Sequence, residues 1–165
     1  MIARTFAVAL FAMLAAAPLK AEEALVTYKS LSPELALDLA RAALAHCRQQ
    51  GYQVAVAVVD RFGVTQVLLR DRFAGPHTVT TALGKAWTAA SFRTNTTDLV
   101  GATQPGTPQA AVRDLPGAVV LGGGVMVEAA GSLLGAVGVS GGPGGEADEG
   151  CAKAGIEAIR DKLDF

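Results

Sequence analysis

The chain has few of the residue patterns that announce a chemistry. It has two cysteines, Cys47 and Cys151, far apart and in no C-x-x-C pair, and two histidines, His46 and His77, with neither H-x-x-x-H nor H-E-x-x-H spacing. A zinc-type site is therefore not expected, and the absence of C-x-x-C-H excludes covalent attachment of a c-type haem. No basic run or basic-aromatic stripe occurs, which argues against a nucleic-acid partner. The apolar run at 6–17 is short for a bilayer span, and every later apolar stretch is broken by glycine. Neither G-x-G-x-x-G nor G-x-x-x-x-G-K-[ST] is present.

What is present begins with MIARTFAVALFAMLAAAPLKA. Arg4, the apolar run and the small residues after it read as a secretory signal peptide cleaved after Ala21. The expected division is residues 1–21 as leader and 22–165 as one domain, periplasmic or secreted, with a retained N-terminal anchor as the alternative. The whole chain carries a formal charge of −1, and the leader takes away two basic residues, Arg4 and Lys20, so the domain is mildly acidic. Export would expose Cys47 and Cys151 to oxidation. A disulfide and two buried thiols are both compatible with their positions on the apolar faces of different predicted helices.

Ser32-Pro33 starts a helix and Gly51 ends it, giving a helix over 33–50. Residues 52–60, YQVAVAVVD, form a central strand, apolar on both faces, and 64–71 return as its hairpin partner. Apolar residues at 79, 82, 83, 86, 87 and 90 predict a second helix over 78–92, with Gly84 and Lys85 off its buried face. Short helical turns are expected at 97–102 and 109–114, strands at 118–121, 124–128 and 133–140, and a last helix at 146–162. The order predicts one α/β (α+β) domain with a central antiparallel sheet of about five strands and helices on both faces. Nineteen glycines leave few large core side chains, so helices must pack closely, and such smooth surfaces suit homo-oligomerisation.

The stretch 131–159, GSLLGAVGVSGGPGGEADEGCAKAGIEAI, has the strand–glycine–helix layout of a phosphate loop. Glu146, Asp148 and Glu149 in the first helical turn would repel a phosphate, so the glycines read as a structural turn. Ser140 within GVSGG only loosely resembles a hydrolase elbow and lacks an obvious acid partner; its hydroxyl is expected to cap the turn.

His46 falls on the flank of the first helix, as a boundary residue. His77 lies in RDRFAGPHT at the entry to the second helix, where the helix dipole favours the neutral, metal-ligating imidazole. An ordinary loop or N-cap histidine is the competing reading. Arg70, Arg72 and Arg93 are candidate partners for carboxylates, and Phe73, Pro76 and Phe92 candidate apolar contacts.

Three blocks, VAVVDRFG at 56–63, GKAWTAASFR at 84–93 after Pro76-His77-Thr78, and GAVGVSGGPGGEADEGCAKAGIEA at 135–158, together resemble the GlcG/HbpS family of small haem-binding proteins, related to the C-terminal domain of PduO-type proteins. The resemblance implies a profilin-like single domain, self-association and non-covalent binding of a b-type haem. Local chemistry selects His77 as the haem-iron ligand, with Thr78 and Lys85 as further pocket residues beside Arg72, Phe73, Pro76 and Arg93. The loop before the second helix departs from the Met-Asp-Gly-Ala-type sequence of many relatives, which puts the pocket's details in question. The expected role is haem carriage, storage, sensing or protection without turnover, since no catalytic constellation is visible. The alternative is a cofactor-free accessory or scaffold subunit for another exported protein, such as a redox partner.

Overall fold

Residues 25–163 are described by the structure, a computed structural model. The expected leader, 1–21, lies outside them. Four principal helices and four strands follow in the order α1 (Pro33–Gln49), β1 (Ala55–Asp60), β2 (Thr65–Arg70), α2 (His77–Phe92), α3 (Thr96–Ala102), β3 (Gly124–Ala129), β4 (Ser132–Ser140) and α4 (Gly145–Glu157). Short 3-10 turns occur at Ala110–Asp114 and Arg160–Lys162. Ser32 caps α1 by accepting from Leu35 N at 3.2 Å, with Pro33 in the first turn, as the sequence requires.

The sheet is antiparallel throughout, in the order β2-β1-β4-β3. β1 is central and its residues 55–59 are buried, which is why it is apolar on both faces. One face carries Val54, Val56, Val58, Val137 and Val139 beneath α1 and α4. The other carries Ala55, Ala57, Val59 and Ala136 beneath α2.

The two faces pack by different means. On the first, large aliphatic side chains fill the space and Cys47–Cys151 form a disulfide across α1 and α4, with Cα atoms 5.5 Å apart. It joins positions separated by 104 residues, a closure worth roughly 3–5 kcal/mol in the chain-entropy picture. On the second, α2 lies almost on the sheet backbone: a Cβ at Gly138 would sit 2.1 Å from the carbonyl oxygen of Ala82. Glycine and alanine are there because only they allow that approach.

The sheet has four strands, one fewer than expected, because 118–121 does not join it. This segment packs against α2 instead. Val119 N donates to Thr88 Oγ1 at 2.8 Å, and a Cβ at Gly84 would collide with Val119 Cγ2 at 2.3 Å. Positive φ values at Gly117 (86°) and Gly123 (115°) turn the chain on either side. The final helix stops at Glu157 rather than continuing to 162, and a 3-10 turn follows.

A candidate ligand cleft between the His77 loop and the glycine turn

The loop after β2 and the start of α2 form one wall of a cleft of about 720 Å³, and the turn after β4 with the first residues of α4 forms the opposite wall. Phe73, His77, Thr78 and Lys85 line the first wall; Ser140, the glycines of 141–145 and Asp148 line the second. Leu121 and Gly122 contribute from the segment that left the sheet.

The loop is fixed from several directions. Buried Asp71 accepts from Arg48 Nε at 2.8 Å, tying the loop to the last turn of α1, and Arg70 donates to the carbonyl of Ala74. The hydrogen bond to Asp71 holds the Arg48 guanidinium more firmly protonated than usual. Thr78 Oγ1 donates to Gly75 O at 2.7 Å. The His77 imidazole folds over Gly75, where an added Cβ would come within 2.7 Å of Cε1, so a side chain there would displace the ring. His77 is exposed at the first position of α2, and Phe73 beside it leaves 78% of its surface open.

The floor has a geometry that the sequence reading missed. Lys85, expected off the buried face of α2, is 3% exposed; its Nζ donates to Asp148 Oδ2 at 2.7 Å and to Val139 O at 2.9 Å. Close contact with the sheet rotates α2 so that Thr78, Ala82, Lys85 and Ala89 point inward while Val79, Leu83 and Trp87 are only partly covered. The long lysine stem crosses the small residues of β4 to reach the carboxylate. Asp148 Oδ1 in turn accepts from Gly142 N at 2.8 Å, locking the glycine turn to α4. A Cβ at Gly123 would lie 2.6 Å from Asp148 Cβ, so the glycines there are a collar around the ion pair.

The carboxylates of α4 are thus not equivalent. Asp148 is paired with Lys85; Glu149 pairs with Lys153 and accepts from Thr97. Burial opposes ionisation of Glu149, but Lys153 and Thr97 outweigh it and hold the carboxyl below its ordinary range. Ser140, expected to cap the turn, is 5% exposed and its hydroxyl makes no hydrogen bond to another described residue. The turn is held by Asp148 instead.

Of the residues singled out from sequence, Phe73, His77, Thr78 and Lys85 meet in the cleft. Pro76 is the residue preceding α2, and Arg72 lies over the Phe73 ring, its Cζ 6.0 Å from the centroid. Arg93 caps the other end of the 16-residue helix α2, about 24 Å away at 1.5 Å per residue, and so is not brought to His77. His46 is half-buried on α1, outside the cleft lining. Among the described residues no three His, Cys, Asp or Glu side chains gather as a metal site. The first wall offers an exposed imidazole and an exposed aromatic ring with the Arg72 guanidinium over it, groups whose chemistry suits a planar macrocycle with carboxylate arms.

Fold and cleft together define a small antiparallel α+β domain with a polar-floored cleft at one end of α2. The chain belongs to the HbpS-like family, described as haem-degrading protein HbpS-like, whose model matches residues 31–157. A double mutant of HbpS from Streptomyces reticuli superposes with a TM-score of 0.78 at 38% identity, covering 88% of this chain and 98% of that one. A PduOC–haem complex matches at TM-score 0.74 and 33% identity, over 79% of this chain and 95% of that one. The corrinoid adenosyltransferase PduO of Citrobacter freundii is 36% identical over 132 residues, 79% of this chain but 39% of PduO. The chain therefore spans about two fifths of that relative.

Proposed function

We propose that the protein is an exported haem-binding protein that holds b-type haem non-covalently in the cleft and carries, stores, senses or protects it without turnover. The observation that carries this reading is the exposed His77 imidazole beside the open Phe73 ring, on a loop pinned by Asp71 and Arg70. The PduOC–haem complex supports the cofactor by similarity. His77 would ligate the haem iron through its imidazole. Arg72 would face one carboxylate arm, Phe73 and Pro76 would cover the ring, and Thr78 would hold the loop's closing turn. Self-association is part of the proposal, supported by Phe62 and Val64, each 61% exposed on the β1–β2 hairpin.

Residues 22–165 titrated with haem should develop a saturable Soret band. No saturable binding would remove the proposal. Absence of turnover has its own test: under air with ascorbate the bound Soret band should persist, and its conversion to a bile-pigment spectrum would replace carriage with degradation. Adenosyl transfer is not carried over from PduO, since most of that protein's length has no counterpart in the chain.

A further inference from the structure

We infer that the floor of the cleft recognises one carboxylate group. The haem reading above bears on where that carboxylate comes from, not on the site itself. Three sets of hydrogen-bond donors converge on the same cavity. The 13-residue helix α4 opens there at Gly145 with no side-chain cap from Gly144, leaving its first-turn amides without a capping acceptor. The Ser140 hydroxyl, on a residue 5% exposed, has no partner among the described residues and lines the cleft. Lys85 spends two of its three N–H donors on Val139 O and Asp148 Oδ2, and it too lines the cleft. The Asp148 oxygens are each engaged, by Lys85 and by Gly142 N, so the nearest protein acceptor does not quench these donors.

Charge selects the ligand. Lys85 cancels Asp148, Lys153 offsets Glu149, and of the first-turn carboxylates Glu146 alone is exposed with no ion pair among the described residues. The dipole of α4 can then stabilise one negative charge. A dianionic phosphate would bring a second negative charge beside exposed Glu146 with no uncompensated cation to meet it, so the site favours a single carboxylate over a phosphate. Two sources supply that group: a haem propionate, or a free small carboxylic acid.

The test compares haem with haem dimethyl ester, and sodium propionate with inorganic phosphate, on the wild-type chain, Ser140→Ala and the charge-free double variant K85M/D148N. Haem should bind about tenfold more tightly than its diester, the loss of a charge-assisted hydrogen bond, and Ser140→Ala should shrink that ratio several-fold. Amide resonances of Gly145 and Glu146 should shift with propionate and not with phosphate. A tenfold acid-to-ester ratio assigns the propionate source; propionate shifts with a ratio of one assign a free acid; either supports the site. A ratio of one together with no propionate shift overturns it. If haem fails to bind in either form, the haem proposal falls, and the propionate titration still decides the carboxylate site.

Discussion

The two faces of the sheet solve the same packing problem with opposite materials. Beneath α1 and α4 the sheet side of the core is valine and leucine, the two helices meet through Ala43 and Gly155, and the Cys47–Cys151 disulfide closes them. Beneath α2 it is alanine and glycine, closed by a buried lysine reaching Asp148. The first face is held by volume and a covalent link, the second by close approach and a polar pair. The proposed site lies at the end of the second, where close packing leaves a cleft with charged and hydroxyl groups at its floor. A face built from bulk would have filled that space.

The comparison can be broken at either face. The largest effect is expected from Asp148→Ala, which leaves Lys85 buried without its carboxylate; a loss of roughly 3–5 kcal/mol should appear in urea unfolding, with much of it restored in K85M/D148N. Equal stability of the single and double variants would show that the pair does not hold this face. Reduction of the disulfide, or Cys47→Ser with Cys151→Ser, should cost about 2–5 kcal/mol while leaving cleft residues in place. Loss of the ligand site along with stability would erase the distinction between the faces. Gly138→Ala should cost about 1–3 kcal/mol by pushing α2 off β4, readable as a lower thermal midpoint.

The smallest effect is electrostatic. Glu149 ionises more readily folded than unfolded, because Lys153 and Thr97 outweigh its burial. Its contribution is therefore present above the ordinary carboxylate range, near 4.5, and is lost as pH falls through the lower folded value. Lys153→Ala should flatten the acid limb of the stability profile. An unchanged limb would remove Glu149 from the acid response.

The elements with strong local signals were legible. The Ser32-Pro33 start and Gly51 stop of α1, the β-branched alternation of β1 and the apolar spacing of α2 each placed an element within a few residues of its observed bounds. Segment 118–121 was not, because its apolar character is satisfied by α2 rather than by a sheet ladder, and sequence does not say which surface an apolar residue will meet. Lys85 was misplaced for a related reason: periodicity assigns lysine outward, and only contact with glycine and alanine on β4 makes room for its stem. Asp148 and Ser140 join the cleft through the glycine turn, whose path no local pattern encodes. The place of His77 at the entry to α2 was legible from the helix periodicity that follows it, and the structure puts it in the cleft lining.

The central proposal is that the wall of His77 and the wall of Ser140, with the Lys85–Asp148 pair at the floor between them, form one haem site. Parallel haem titrations of the wild-type chain and His77→Ala, followed by absorption, test it most directly. The account predicts a saturable Soret band in the wild type and a shifted, weakened band in the variant, with unfolding midpoints unchanged. Identical bands and affinities in the two proteins would contradict it.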